Sequence, residues 1–202
     1  MIVEVVIILK LLCDPVSAII NGNIVRSVED LPFIARLTIK AGFANYITCG
    51  ASLIDRQHLL TAKHCLQTFY DECINELDCI AHFRDLTLGR TNQEPGQFYI
   101  PITDIFEKEG LSDLAIVKLK YPVEEHKDYR LGAPLQPIKI ATEDPKPGEQ
   151  ALTAGWGITG YNEGLSESLH SLELTINEVS INCKWHIFIN VHFKGQQFVD
   201  LH

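Results

Sequence analysis

Positive charge is scarce in this sequence. It has 17 lysine and arginine residues against 26 acidic residues, which gives a formal net charge of −9 at pH 7. The basic residues are scattered, and Lys118 and Lys120 form the nearest pair. Because binding to a phosphate backbone needs a concentrated Lys/Arg surface, this distribution argues against a nucleic-acid partner. A hydrophobic content of 46% with a charged fraction of 21% instead predicts a globular chain of one ordinary domain or two small ones.

Long apolar runs are also missing. The first candidate, residues 1–12, is interrupted by Glu4 and Lys10 and is too short to cross a bilayer, which needs roughly 20 apolar residues. It is followed by Val16-Ser17-Ala18, small residues of the kind that signal peptidase accepts. We therefore expect residues 1–18 to be a signal peptide, the mature protein to be secreted, and no membrane partner. An ordinary β-strand or a misassigned start is the alternative.

Internal repeats, low-complexity tracts and long helical periodicity are absent as well. Short apolar or alternating runs, separated by Gly and Pro, take their place, and many short strands at this spacing predict an all-β sandwich or barrel. One short helical turn is expected around His64. Residues 121–137, with three prolines and no clear period, are interpreted as a connection between two halves. The runs are residues 33–39, 51–54, 98–100, 114–119 and 151–154.

Several segments in a fixed order carry a family resemblance. They are Ile19-Ile20-Asn21-Gly22, Cys49-Gly50-Ala51-Ser52-Leu53-Ile54, Leu60-Thr61-Ala62-Lys63-His64-Cys65, Asp113-Leu114-Ala115-Ile116-Val117-Lys118-Leu119 and Ala154-Gly155-Trp156-Gly157. Each is weak alone, but together they resemble the trypsin-like (chymotrypsin-fold) serine peptidases over residues 19–183. The resemblance implies an all-β, chymotrypsin-like double antiparallel β-barrel whose second barrel is incomplete. Its first barrel would take residues 19–125 and its partial second barrel residues 126–183, before an unrelated tail, residues 184–202.

The same resemblance implies roles for individual residues. His64 would be the general base that takes a proton from a serine hydroxyl, and Asp113 the carboxylate that orients it. Cys49 and Cys65 would form a disulfide beside this histidine. Ile19 would be the mature N-terminus, exposed by signal peptidase because no basic residue precedes it. A polypeptide substrate or a protein inhibitor would be the partner of a monomeric protein with no cofactor and no metal.

Two features depart from the family pattern. Lys63 stands before the histidine, where the family usually has a small residue, so its charge must reach solvent or a partner. Cys73 and Cys79 lie in what resembles an inserted surface loop, residues 69–82, and we expect a local disulfide between them. A metal site shared with His82 is the weaker alternative, because no fourth ligand is evident.

The largest departure is a missing nucleophile. The serine of this family stands in Gly-Asp-Ser-Gly-Gly, and no such segment follows Asp113. The serines that remain lack the flanking glycines that expose the hydroxyl and donate oxyanion N–H groups. They are Ser166, Ser168, Ser171 and Ser180.

The cysteine count points the same way. Removal of Cys13 with the signal peptide leaves five of the six cysteines, and five cannot all pair internally. Cys183 resembles a family cysteine with a downstream partner, but no cysteine follows it, so we expect it to be unpaired. The sequence therefore predicts a serine-type endopeptidase by family that is inactive as written. The alternative is a non-catalytic homologue that acts as a secreted binding protein.

Overall fold

The computed structural model describes residues 7–10, 19, 21–41, 45–66, 78–87, 95–107, 113–140, 147–160, 164–175, 186–190, 192–193 and 196–197. Cys13, Cys73 and Cys183 lie outside these residues, as does most of the predicted signal peptide. Strands dominate, which confirms the all-β prediction. They are β1 (Ile7–Lys10), β2 (Asn23–Ile24), β3 (Ile34–Ala41), β4 (Asn45–Leu53), β5 (His58–Ala62), β6 (Cys79–Phe83), β7 (Phe98–Glu107), β8 (Leu114–Leu119), β9 (Gln150–Gly155), β10 (His170–Thr175), β11 (His186–Asn190), β12 (His192–Phe193) and β13 (Gln196–Gln197).

The helical segments of the described residues are short 3-10 helices. One of them, Lys63–Leu66, lies where the sequence predicts a single helical turn, and we call it the His64 turn. No helix in the described part of the chain has the length and apolar content needed to span a bilayer. The other 3-10 helices are Val28–Asp30, Val123–Glu125 and Tyr129–Leu131.

Six strands close into an antiparallel barrel in the order β3-β4-β5-β8-β7-β6. Closure is possible because alternate residues point inward, as the burial pattern of β6 shows, where every second residue is buried. The inward side chains are apolar and have almost no solvent exposure, so the barrel has a continuous hydrophobic core. Its fully enclosed members include Leu37, Ile39, Leu53, Leu59, Phe83, Ile100, Val117 and Leu119.

A buried arginine attaches the segment after the barrel to the barrel itself. Arg84 is only 2% exposed, and its guanidinium donates hydrogen bonds to the carbonyl oxygens of Ala133 (2.9 Å), Gly96 (2.6 Å) and Tyr129 (2.8 Å). It also lies 5.4 Å from the ring centroid of Phe98. Because a buried cation needs partners for its donors, these carbonyls fix where residues 128–133 lie.

A second, open sheet has the strand order β13-β12-β9-β10-β2. Ala151 and Ala154 of β9 are buried, whereas no residue of β10 is. β12 pairs with β9, so part of the predicted tail, residues 184–202, contributes to this sheet. A separate two-stranded sheet pairs β1, inside the predicted signal segment, with β11.

The compact units differ from the predicted boundaries. One comprises residues 27–86 and 90–137, and the other residues 1–26, 87–89 and 138–202. Residues 23–24 join the second unit because β2 pairs with β10, and the Val25 N–H donates to the Leu169 carbonyl at 2.9 Å. The first unit extends past the predicted residue 125 because Arg84 holds the carbonyls of residues 128–133.

Candidate active site

The barrel presents His64 at the end of a buried strand. β5 is anchored by Leu59 and Leu60 in the core and by the Thr61 hydroxyl, which donates to the Gly50 carbonyl at 2.9 Å. The chain then enters the His64 turn, and the His64 side chain is 48% exposed. A histidine placed at the end of a rigid strand, with its ring in solvent, is available for proton transfer.

Asp113 reaches this turn from the neighbouring strand. β5 and β8 are antiparallel, with Ala62 opposite Leu114, so the residue after β5 meets the residue before β8. Asp113 Oδ1 accepts the His64 backbone N–H at 2.8 Å, and Asp113 Oδ2 lies 2.7 Å from His64 Nδ1. The Asp113 side chain is only 13% exposed.

These contacts fix the orientation of the imidazole. An ionised carboxylate only accepts hydrogen bonds, so Nδ1 of His64 carries the proton and donates a hydrogen bond to Asp113. His64 Nε2 then has its lone pair free, with no hydrogen-bond partner among the described residues. This is the arrangement that a general base requires: one nitrogen held by a carboxylate and the other open to a substrate hydroxyl.

A disulfide holds the other end of the His64 turn. Cys49 of β4 and Cys65 are joined with their Cα atoms 6.2 Å apart, and Cys65 is 3% exposed. His64 and these two sulfurs lie within 4.8 Å of one another, but the disulfide occupies both sulfurs, so they are not thiolate ligands. Cys79 is also disulfide-bonded, whereas its predicted partner Cys73 lies outside the described residues.

Lys63 has a partner that sequence reasoning missed. Its Nζ lies 2.7 Å from Oε2 of Glu107, the last residue of β7, and its backbone N–H donates to the Asp113 carbonyl at 3.0 Å. The sequence required only that this lysine reach solvent or a partner. Glu107 is 44 positions away along the chain (107 − 63), so only the strand order could have identified it.

A contact between Ser166 and His170 lies outside the barrel but does not form an activated nucleophile. His170 Nδ1 lies 2.9 Å from the Ser168 carbonyl oxygen and 3.1 Å from Ser166 Oγ. Because a carbonyl only accepts, Nδ1 carries a proton and cannot take one from Ser166. The Ser166 hydroxyl oxygen also accepts the Ser168 backbone N–H at 3.1 Å.

Ile19 is held in the second unit. It is 7% exposed, and its backbone N–H donates to the Ile158 carbonyl at 2.8 Å. Gly22 follows in close contact, since a Cβ at that position would lie 2.4 Å from Cγ2 of Ile19. The predicted mature N-terminus is therefore a packed position of this unit.

Comparison with known proteins matches this chain to a protein family. The Trypsin family model matches residues 19–196. The match extends past Cys183 into residues 184–196, which were predicted to belong to an unrelated tail. The pairing of β12 with β9 agrees with the longer match.

The curated relatives include several mammalian proteases. The chain is 26% identical to Mast cell protease 2 of Ovis aries over 183 residues, covering 85% of this chain and 66% of that protein. It is 29% identical to Granzyme B of Rattus norvegicus over 157 residues, covering 73% of this chain and 56% of that protein. It is also 29% identical to Renal glandular kallikrein of Mastomys natalensis, covering 69% and 53%. The chain spans about half to two thirds of the length of these relatives.

Solved structures are similar in fold. A structure described as GrC is 22% identical with a TM-score of 0.62, over 79% of this chain and 66% of that chain. The scabies mite inactivated protease paralogue S-D1 is 16% identical with a TM-score of 0.62, over 79% and 64%. The chymotrypsin-like fold class is therefore confirmed.

Proposed function

Because this chain belongs to the trypsin family of serine proteases, we propose that its function is proteolysis, with His64 as general base and Asp113 as the orienting carboxylate. The observation that carries the proposal is the 2.7 Å contact between His64 Nδ1 and Asp113 Oδ2. It gives the imidazole the tautomer and the orientation that peptide hydrolysis by a serine requires.

The chemistry assigns one task to each nitrogen of the ring. Nε2 takes the proton of a serine hydroxyl during attack on the peptide carbonyl and later returns it to the leaving amine. Nδ1 stays hydrogen-bonded to Asp113, whose negative charge stabilises the imidazolium that forms. The backbone N–H of His64 on the other carboxylate oxygen keeps Asp113 from rotating away.

The nucleophile is the part that these 202 residues do not supply. No Gly-Asp-Ser-Gly-Gly segment occurs in the sequence, and Ser166 is not activated by His170. The chain as written should therefore not hydrolyse peptide bonds, although its histidine and aspartate are arranged for that step. A non-catalytic role, in which the protein binds a polypeptide or a protein inhibitor, is the alternative.

Export is part of the proposal. Residues 1–18 would act as a signal peptide, Ile19 would become the N-terminus, and the mature protein would be a secreted monomer with the Cys49–Cys65 disulfide formed in an oxidising compartment. A relative from Polistes dominula, 26% identical over 165 residues, is named a venom serine protease, which agrees with this location. N-terminal sequencing of secreted material should begin at Ile19, and any other start contradicts the assignment.

A peptide-hydrolysis assay tests the catalytic part. We expect purified, oxidised protein to show no turnover of fluorogenic peptides above that of a His64→Ala control. Turnover that His64→Ala abolishes would contradict the predicted inactivity and would confirm the base. Sequencing of the transcript through the codon for Cys183 is the complementary experiment. A Gly-Asp-Ser-Gly-Gly codon series supports proteolysis, and its absence supports the binding role.

A further inference from the structure

An ion pair crosses the start of β8, the strand that follows Asp113. Lys63 is the first residue of the His64 turn after β5, and Glu107 is the last residue of β7. β8 lies between these strands, and its residue Ala115 is the register partner of both Thr61 and Glu107. Lys63 itself follows this register to Asp113, so its 2.7 Å contact from Nζ to Glu107 Oε2 crosses the start of β8.

Lys63 contacts both Asp113, just before β8, and Glu107, at the end of β7. Its backbone N–H donates to the Asp113 carbonyl at 3.0 Å while its side chain reaches Glu107. The next residue, His64, uses its own N–H on Asp113 Oδ1 at 2.8 Å. A displacement of Lys63 would thus lengthen both hydrogen bonds that the backbone N–H groups of Lys63 and His64 donate to Asp113.

The turn needs such a restraint on its first residue. It is a single 3-10 helix, and its far end is held by the disulfide at Cys65. The His64 ring itself is half exposed, and its side-chain hydrogen bond among the described residues is the one with Asp113. The position of Lys63 therefore decides how well the ring stays aligned with the carboxylate.

We propose that Lys63 and Glu107 form a positioning pair that keeps His64 aligned with Asp113. The inference rests on the proposed role of these two residues as base and orienting carboxylate. Ion pairs with solvent contact usually contribute little to global stability. The pair should accordingly act on the local geometry of the His64 turn and leave the free energy of unfolding nearly unchanged.

The barrel offers a matched control. Arg56 and Glu124 form an ion pair with a 3.1 Å contact and side chains that are 67% and 36% exposed. Arg56 lies in the turn before β5 and Glu124 in the 3-10 helix after β8, so this pair has the same charges but does not contact Asp113. Glu124→Gln removes one charge from the same barrel without touching the His64 turn.

The experiment uses the full oxidised chain labelled for NMR, with variants Glu107→Gln, Lys63→Met and Glu124→Gln. It measures hydrogen exchange of the His64 amide, the downfield resonance of the proton on His64 Nδ1, and the urea midpoint of unfolding. We expect Glu107→Gln and Lys63→Met to speed exchange of the His64 amide by roughly three- to tenfold through easier local opening. Both should also broaden the Nδ1 resonance, whereas Glu124→Gln should match the wild type.

Two further measurements distinguish the effect of the ion pair's charges from the effect of side-chain packing. The double variant Lys63→Glu/Glu107→Lys should restore slow exchange, because it keeps the ion pair with its sign reversed. About 1 M salt should reduce the difference between wild type and Glu107→Gln, since screening weakens partly exposed pairs. If Glu107→Gln leaves the exchange rate and the Nδ1 resonance as in the wild type, the positioning pair is wrong.

Asp113→Asn distinguishes this inference from the proposed function. If Asp113→Asn removes the Nδ1 resonance while Glu107→Gln has no effect, the base–carboxylate pair stands and only the positioning role fails. If Asp113→Asn leaves the resonance unchanged, the pair of His64 and Asp113 itself is wrong, and the positioning role is overturned with it.

Discussion

The closed barrel and the open sheet are both built from antiparallel strands, but they differ in how completely their side chains are buried. Every strand of the barrel has two neighbours, and its inward side chains, such as Leu37 and Ile39, have no exposure. In the open sheet, β10 has no buried residue, and the nearby Leu165 is 61% exposed. His64 and Asp113 both belong to the barrel. A pair that must hold hydrogen-bond geometry lies on the part of the molecule where closure fixes each strand from both sides.

The largest loss of stability should come from replacing Arg84, which lies in the unit that contains the closed barrel. Arg84→Met keeps the apolar stem but removes the buried donors to the carbonyls of Gly96, Tyr129 and Ala133, so the three hydrogen bonds are lost. We expect a loss of about 4 kcal/mol in the free energy of unfolding by urea titration. Arg130→Met, at an exposed position nearby, should change it by less than about 0.5 kcal/mol.

Leucine truncations test the comparison directly. Leu37→Ala removes a side chain with no exposure from the barrel core and should cost about 3 kcal/mol through lost burial and the cavity left behind. Leu174→Ala, in the half-buried face of β10, should cost under about 1 kcal/mol. Equal losses in urea unfolding would show that the open sheet is packed as well as the barrel.

Loss of the disulfide tests the restraint on the His64 turn. Replacing Cys49 and Cys65 by Ala opens a loop with a sequence separation of 16. The chain-entropy model then predicts a loss of about 3 kcal/mol in the free energy of unfolding. Thermal unfolding of the wild type and the double variant, both without a reductant, checks this, because a reductant would also open the disulfide of Cys79. Equal unfolding of the two proteins would contradict it.

His82 should make the barrel sensitive to acid. Burial, together with the positive charge of Arg36, lowers the pKa of His82 to about 3. Arg36 donates to the Thr38 hydroxyl oxygen, which also lies 3.1 Å from Nε2 of His82. The unfolded chain binds the proton near pH 6.5 and the folded barrel only near 3. The stabilising contribution is therefore present above pH 6.5 and is lost as the pH falls toward 3.

Replacement of this histidine removes that part of the pH dependence. Between pH 7 and pH 5 the wild type should lose about 2 kcal/mol of unfolding free energy more than His82→Gln does. Urea titrations at both pH values measure the difference. Identical slopes in the two proteins would mean that His82 takes up its proton in the folded barrel, contrary to its lowered pKa.

Local sequence was sufficient for some features and insufficient for others. Alternation in residues 33–39 and 114–119 predicts strands because each places its apolar side chains on one face. The partner of Lys63 could not be predicted, because Glu107 reaches it only through the register of β7 on β8. The role of Arg84 was missed for the same reason, since its carbonyl partners lie 12 to 49 positions away.

The sequence by itself determined the all-β class, the family, and His64 and Asp113 as candidates, because these depend on residue types and their order. Tertiary structure alone decided that the first unit extends to residue 137, that residues 192–193 join the second sheet, and that Lys63 is held by Glu107. These depend on strand register and on buried polar groups finding partners. Both are long-range matches between segments whose own sequences do not specify one another.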